Sequence, residues 1–362
     1  MEPIELRSDN AAGALPEVVA AVAAANDGSA PSYGADRWTE DARQAIGAAF
    51  ERPDLALFPV PTGTAANALS LSALCPPWGM VVCHDTAHVL RSECGAASLF
   101  GGGAVIRGVA SDGDGSLLRA DDLCRLLDSV RWGDPHESQP AVLSLTCPTD
   151  RGAIYTPDQV AELVGIAKGR GMKVHLDGAR LANALAALGC SPAALTWQAG
   201  VDVLSFGATK NGALSTDAIV SFDRAASDQL LYRVKRAGHV PSKMRFQSAQ
   251  LLAYVTDGLW LDAADRANAA MRRLAAGLRA RGYGFGVEPD VNMAFVPIDP
   301  MVLARLVADG VLFHEMSPGV ARFVTSFRTT SADIDEVLAR LDRARADQPV
   351  AAGRQSAVAA RS

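Results

Sequence analysis

The chain has 362 residues, of which 49% are hydrophobic and 20% are charged, and its formal net charge is -6. This composition is typical of a soluble globular protein, and the negative charge argues against nucleic acid or an anionic membrane as a partner. No apolar run approaches the roughly 20 residues of a membrane-spanning helix, and the first residues lack the features of a signal peptide, so we expect a cytoplasmic protein.

The amino-terminal part is predicted to be an arm followed by helices. Ser8 lies in a polar turn, and a helical pattern begins at Pro16. Tyr33 lies in the next loop, where an exposed aromatic ring has either a surface role or a role in a site. Thr39 stands just before a second helical pattern and is the expected N-cap of that helix.

The first chemical signal is the sequence PTGT, which separates a short apolar strand from a helix of small residues. Gly63 allows a tight turn, Thr64 offers a hydroxyl group, and the unpaired amides at the start of the helix favour an anion. Two interpretations stay open, a phosphate-binding turn and a simple capped helix start.

Two histidines follow the next predicted strand. His84 lies within the strand or at its end, where we expect a packed or hydrogen-bonded imidazole. His88 lies in the polar turn that follows, and is better placed to cover a ring or to transfer a proton.

The sequence contains no pattern of a metal site. The SDGDGS sequence at residues 111–116 lacks the acid that completes a calcium loop, and predicts a solvated turn. The six cysteines are scattered without a C-x-x-C pair, so neither a zinc site nor a disulfide framework is predicted.

The sequence KVHLDGAR places Asp177 at the tip of a buried strand and Arg180 at the start of a helix. A carboxylate there can hold the proton of a pyridinium nitrogen, and the arginine offers a fork for a ring oxygen or a substrate carboxylate. The alternative is structural, with Asp177 as the cap of the next helix and Arg180 as its ion partner.

Lys210 ends the sequence VDVLSFGATK, which predicts a buried strand and then a loop of small residues. Open α/β sheets bind ligands at the carboxyl ends of their strands. The small residues leave room for a planar ring, and partial desolvation helps the ammonium group lose the proton, as an imine-forming amine requires. On this stretch alone a solvated lysine is the commoner case, and the partners at the other strand ends favour a covalent cofactor anchor.

The carboxyl-terminal third begins with a basic helical segment that is either a solvated face or a binding surface for an anionic group of a neighbouring subunit. Arg322 is an unexpected charge in an otherwise apolar strand. We predict a large and a smaller domain, and divide the chain into an arm (1–15), a large cofactor-binding domain (16–245), a small α+β domain (246–347) and a tail expected to be disordered (348–362).

Over about residues 4 to 345 the chain resembles the low-specificity L-threonine aldolase group of the β-eliminating lyase family. The sequences LRSDN, PTGTAAN, HDTAH with ECGA, VHLDGARLANAL, SFGATKNGA, KRAGHVPSKMRF and RFVTSF occur in the family's order. The resemblance implies an α/β protein of pyridoxal-phosphate fold type I. Its large domain would have a mainly parallel, seven-stranded-type sheet flanked by helices, beside a small C-terminal α+β domain.

The resemblance also implies the roles of individual residues around pyridoxal 5'-phosphate. Lys210 would carry the cofactor covalently, Asp177 would pair with its ring nitrogen, and His88 would stack on the ring, which makes these three the predicted catalytic residues. The phosphate would be held by Gly63, Thr64 and Thr209.

The other implied roles concern the substrate and the partner subunit. The substrate carboxylate would be bound by Ser8, Arg180 and Arg322, with Arg180 also near the cofactor. Four further side chains would reach into the partner subunit's site. Tyr33 would point toward the substrate, and three basic side chains would point toward the cofactor: Arg236, Lys243 and Arg245. A homotetramer of site-sharing dimers is therefore implied.

The implied reaction is retro-aldol cleavage of L-3-hydroxy amino acids to glycine and an aldehyde, with His88 or a water it orients as the first choice of base. One branch of the family has a histidine at the loop that here contains Cys147, Thr149 and Asp150, so the preference at Cβ stays open. The alternatives are another pyridoxal-phosphate-dependent β-eliminating lyase, an aminotransferase, or a non-catalytic amino-acid-binding protein of the same fold.

Overall fold

The computed structural model describes residues 2–111 and 116–346. Most of the turn predicted at 111–116 and the whole tail 348–362 therefore lie outside the described residues. Within the described part, no helix is long and apolar enough to cross a lipid bilayer.

Strands and helices alternate along the chain. The strands of the described part are β1 (Ile4–Glu5), β2 (Ala56–Val60), β3 (Gly79–His84), β4 (Val105–Val109), β5 (Gln139–Thr146), β6 (Lys173–Gly178), β7 (Val203–Phe206), β8 (Asp217–Ser221), β9 (Met293–Pro297), β10 (Val311–Leu312), β11 (His314–Ser317) and β12 (Val320–Val324). The α-helices are α1 (Pro16–Ala25), α2 (Arg37–Ala49), α3 (Gly63–Leu74), α4 (His88–Arg91), α5 (Ala96–Phe100), α6 (Ala120–Asp128), α7 (Pro157–Gly169), α8 (Leu181–Leu188), α9 (Pro192–Leu195), α10 (Arg224–Arg236), α11 (Arg245–Val255), α12 (Leu259–Ala280), α13 (Pro300–Ala308) and α14 (Ser331–Ala346). Single 3-10 turns occur at Asp9–Ala11, Thr209–Asn211 and Thr256–Gly258.

The main sheet has seven strands in the order β2-β8-β7-β6-β5-β3-β4. Strand β8 is antiparallel to both of its neighbours, and every other neighbouring pair is parallel. The mainly parallel, seven-stranded sheet predicted from the sequence is thus confirmed.

Helices cover both faces of this sheet. Because successive side chains of a strand point to opposite faces, Val142 and Val203 join a core with α3, α5 and α10, whereas Leu143 and Leu204 join a core with α2, α7 and α8. Burial on both sides explains why these strands are continuous apolar runs rather than alternating ones.

The parallel register brings several strand ends to one edge of the sheet. Thr146 pairs with Asp177, Asp177 with Ser205, and Gly178 with Phe206, so β5, β6 and β7 end side by side. This is the edge at which open α/β sheets bind ligands, and the side chains that leave it form the site described below.

A second sheet, in the order β11-β12-β9, is antiparallel and packs with α12, α13 and α14 around a separate core. The amino-terminal arm joins this part, since β1 pairs with β10 and Leu6 is buried in the same core. The residue limits given above for the arm, the two domains and the tail remain a prediction.

One local prediction is wrong. Helix α2 begins at Arg37, earlier than its apolar pattern indicated, and its N-cap is Asp36, whose carboxylate accepts the N–H of Thr39 at 2.9 Å. Thr39 is therefore the third helical residue. Helix α7 has Thr156 as its N-cap and Pro157 as its first residue, where proline is favoured.

Candidate active site

A cavity of about 380 Å³ opens at the carboxyl ends of β3, β5, β6 and β7. It brings together the larger part of the predicted site residues, from the arm, the main sheet and the second sheet. These are Ser8, Gly63, Thr64, His88, Asp177, Arg180, Thr209, Lys210 and Arg322.

Lys210 lies on the 3-10 turn that follows β7. The turn is folded by Asp217, whose Oδ1 accepts the N–H groups of Ala208 at 2.8 Å and Thr209 at 3.0 Å. The positive charge of Arg180 and then burial lower the pKa of Lys210. No hydrogen bond or ion pair with a described residue holds its Nζ, so the amine is free to form a bond in the cavity.

Asp177 faces the cavity from the end of β6 and is only 5% exposed. Its Oδ1 accepts the N–H of Ala179 at 3.0 Å, and its Oδ2 accepts a hydrogen bond from Asn67 at 2.9 Å. The structural alternative raised by the sequence is wrong, because Asp177 does not cap α8 and the ion partner of Arg180 is Asp9.

A buried network connects Asp177 to His88. The side-chain amide of Asn67 donates to Asp177 and also, at 2.8 Å, to Glu93 Oε1. The same oxygen lies 2.8 Å from Nδ1 of His88, and this hydrogen bond raises the pKa of the imidazole. The sequence analysis missed Asn67, although its place one helical turn after Gly63 puts it on the cavity face of α3.

The start of α3 supplies an anion site. Thr62 is the N-cap and its hydroxyl accepts the N–H of Ala65 at 3.1 Å. No described acceptor takes the N–H groups of Gly63 or Thr64, which line the cavity. The two interpretations left open by the sequence are therefore compatible, because the cap leaves two amides for a phosphate.

Thr209, on the 3-10 turn after β7, and Asp217, the first residue of β8, line the same cavity, and the Asp217 carboxylate lies near Gly63. The hydroxyl of Thr209 is buried beside the Asp217 carboxylate. Burial raises the pKa of Asp217. Asp217 was missed because it begins a mostly apolar strand and no short motif includes it.

Two guanidinium groups line the opposite part of the cavity. Arg180 forms a buried pair with Asp9, with Nε–Oδ2 and Nη2–Oδ1 distances of 2.6 and 2.9 Å, and Asn292 also donates to Asp9. Arg322 donates to the carbonyl of Arg7, and its buried Nε has no partner among the described residues. Two neighbouring cations with unused donors suit a carboxylate ligand.

Four residues were predicted to reach into a partner subunit's site, and none of them lines the cavity of its own chain. Tyr33 is 59% exposed and lies under the Lys235 ammonium group. Arg236 and Lys243 are exposed, and Arg245 donates to the carbonyl of Gly28. Their assignment to a neighbouring subunit's site stays a prediction.

The loop after β5 places one further carboxylate in the cavity. Cys147 is fully buried, and burial raises its pKa to about 12, so its thiol is unsuited to nucleophilic chemistry. Thr149 is buried in a tight turn at the cavity wall, and Asp150 lines the cavity beside His88.

A β-eliminating lyase family model matches residues 5–300 of the chain. Low specificity L-threonine aldolase of Pseudomonas sp. (strain NCIMB 10558) is 39% identical over 92% of this chain and 96% of its own, and that of Pseudomonas aeruginosa is 40% identical over 92% and 94%. The solved structure of Leishmania major threonine aldolase has a TM-score of 0.87, with 25% identity over 93% of this chain and 98% of that one. Sphingomonas wittichii serine palmitoyltransferase shares the fold, with a TM-score of 0.71 at 18% identity over 95% and 88%.

These likenesses agree with the lysine, the buried carboxylate and the anion site that meet at the sheet edge, and together they define a pyridoxal-phosphate-dependent enzyme of fold type I. Within that class, the chain belongs to the β-eliminating lyase family, and there to the low-specificity L-threonine aldolase group.

Proposed function

We propose that the protein cleaves L-3-hydroxy amino acids, among them L-threonine, L-allo-threonine and L-phenylserine, into glycine and an aldehyde. The observation that carries the proposal is a single cavity holding a lysine of lowered pKa, a buried carboxylate and two guanidinium groups. The named relatives, which are low specificity L-threonine aldolases, support the choice of substrate.

The chain's own residues fit pyridoxal phosphate. Lys210 would carry it, Asp177 would keep the ring nitrogen protonated, and the amides of Gly63 and Thr64, with Thr209, would bind the phosphate. When bound, the cofactor supplies an electron sink for the pair left on the substrate's Cα. The network through Asn67 fixes the Asp177 carboxylate so that its charge stays directed into the cavity.

Arg180 and Arg322 are the proposed carboxylate-binding pair, with Ser8 beside them. Asp9 holds one guanidinium group and the carbonyl of Arg7 the other, so both are oriented before substrate arrives. A carboxylate held at two points fixes the orientation of the bonds at Cα, and orientation of this kind lowers the barrier to breaking one of them.

We also propose an oligomer in which neighbouring chains complete each other's sites, as a homotetramer of dimers. The support is the exposure of Lys235, Arg236 and Lys243, which have no anionic partner among the described residues. The cytoplasmic location stays a prediction.

The test is product analysis with L-threonine, L-allo-threonine and L-phenylserine, with each D enantiomer as a control. We expect glycine and the matching aldehyde from the L substrates and neither product from the D forms. Formation of ammonia and a 2-oxo acid would instead identify a β-eliminating enzyme, and transfer of the amino group to an added oxo acid would identify an aminotransferase. Binding without any product would identify a non-catalytic protein.

A further inference from the structure

We propose that Asp150 is the general base that takes the proton of the substrate's β-hydroxyl group. This assignment rests on the retro-aldol function proposed above. It replaces His88 as the first choice of base.

The loop is folded so that Asp150 has a fixed place. The N–H of Thr149 donates to the carbonyl of Ala153 at 2.8 Å, and the hydroxyl of Thr149 accepts the N–H of Ala153 at 3.2 Å. The N–H of Gly152 donates to the carbonyl of Thr149 at 2.8 Å, which closes the turn, and Gly152 has a φ of +86° that favours glycine. Thr149 therefore builds the turn and Asp150 presents its carboxylate to the cavity.

The two oxygens of Asp150 have different surroundings. Oδ2 accepts the backbone N–H of His88 at 3.0 Å, which anchors the carboxylate to the start of α4. Oδ1 has no hydrogen-bond partner among the described residues, and it is not one of the buried unpaired atoms, so it is accessible from the cavity. One anchored oxygen and one free oxygen make a preorganised proton acceptor.

The charges around Asp150 suit this role. Burial raises its pKa to about 6, and the carboxylate of Asp177 adds to the rise, while three cations oppose it. The charged and titratable groups that face Asp150 are His88, Asp177, Arg180, Lys210, Arg322 and Cys83. A base with a pKa just below the working pH is mostly ionised and still a good proton acceptor.

His88 is less suited to take the proton. Its Nδ1 is held by Glu93, and the raised pKa increases the fraction of imidazole that already carries a second proton. Among the other carboxylates of the described cavity wall, Asp177 uses both oxygens, Glu93 is enclosed, and Asp217 lies at the phosphate end. Asp150 is the carboxylate with a free oxygen on the substrate side.

The proposed step is balanced within the substrate. Asp150 removes the proton from the β-hydroxyl oxygen, the O–H electron pair becomes the second bond of the aldehyde carbonyl, and the Cα–Cβ bond breaks. The electron pair of that bond stays on Cα, which later takes up one proton to give glycine. The proton on Asp150 then returns to solvent, so no oxidant or reductant is needed.

The test compares Asp150→Asn and Asp150→Glu with the wild type as holoenzymes. We expect Asp150→Asn to lower kcat for L-threonine by about 10²- to 10⁴-fold. Cofactor content and the spectral titration with glycine should be unchanged, because glycine has no β-hydroxyl group. The wild-type kcat/KM should fall on the acid side with an apparent pKa near 6, and this limb should be absent from the residual activity of the variant.

Asp158→Asn, at an exposed carboxylate in the first turn of α7, is the matched control and should behave as wild type. If Asp150→Asn retains kcat within threefold, or retains the acid limb, the assignment is overturned. If that variant does not fold, Asp150→Ala takes its place, since a lowered kcat at full cofactor content supports the assignment and an unchanged kcat overturns it. Asp150→Glu, which keeps a carboxylate, should retain more activity than either variant. A wild type that releases no aldehyde overturns the proposed function itself.

Discussion

The cavity edge of the main sheet and the exposed segment of residues 235–245 both contain charged residues predicted to act on the cofactor, yet they are held in different ways. In the cavity, Asp177 has hydrogen bonds to both oxygens and Arg180 has a buried carboxylate partner. In the exposed segment, Arg236 and Lys243 have neither a hydrogen bond nor an ion pair with any described residue.

The difference shows which of the predicted site residues a single chain can hold in place. Parallel strands that end at one edge fix their terminal side chains by the register of the sheet, whatever binds there later. A solvent-facing cation contributes little free energy to stability or binding until an anion or a second chain desolvates it. Substitutions in both regions test this contrast.

Lys210→Ala should remove the covalent anchor and reduce turnover to background. The amine is the group in the cavity that is free to form an imine, so the variant should also lose the visible absorbance of bound cofactor and the labelling of this position by borohydride. Absorbance spectra and aldehyde release measure both effects. A yellow and active variant would contradict the assignment.

Asp177→Asn should keep the shape of the site and remove the carboxylate's negative charge. We expect kcat to fall by roughly 10²- to 10³-fold, as for loss of one preorganised electrostatic contact. Asn67→Ala, which leaves the carboxylate and removes one of its donors, should have a smaller effect in the same direction. Equal kcat values for wild type and Asp177→Asn would show that the carboxylate does not act on the ring.

Asp9→Asn should leave the Arg180 guanidinium group buried without a counter-ion. Removing one partner of a buried pair costs about 3–5 kcal/mol in the free energy of unfolding, measured by urea unfolding at pH 7. Asp41→Asn, at an exposed aspartate, is the control and should change stability by less than about 0.5 kcal/mol.

The effect of Asp9 should also depend on pH. Burial alone would raise the pKa of Asp9, but Arg180 outweighs it and lowers the pKa below its usual value. The stabilisation is therefore fully present above the unfolded-state pKa of about 3.9 and is lost as the pH falls through the lower folded-state pKa. The difference between wild type and Asp9→Asn should narrow below pH 4, and a constant difference would contradict the pairing.

Arg236→Ala and Lys243→Ala should act only through a partner subunit. Loss of one charge-assisted hydrogen bond to a phosphate should weaken cofactor binding roughly tenfold, measured by equilibrium dialysis. Mixing Lys210→Ala chains with chains carrying both substitutions should restore activity in part, because each hybrid dimer regains one complete site. Absence of any recovery would place these cations outside the site.

The sequence located the strand ends and missed the contacts between distant segments. Asp177, Lys210 and Gly63 could be predicted because each follows an apolar run and stands beside small residues, and such positions converge in a parallel sheet. The pairing of Arg180 with Asp9 spans 171 residues and has no local spacing, so the only ion partner that the sequence suggested was the neighbouring Asp177, as one of two open interpretations. Asn67 and Asp217 were missed for a similar reason, since each stands in a mostly apolar element and its contacts form only in the folded cavity.

The most direct test of the central claim is the product balance from uniformly ¹³C-labelled L-threonine with the wild-type holoenzyme, followed by NMR. The cavity described here predicts glycine and acetaldehyde in equal amounts, with no signal from 2-oxobutanoate, and no reaction of the D enantiomer. Release of 2-oxobutanoate, or consumption of L-threonine without glycine, would contradict it.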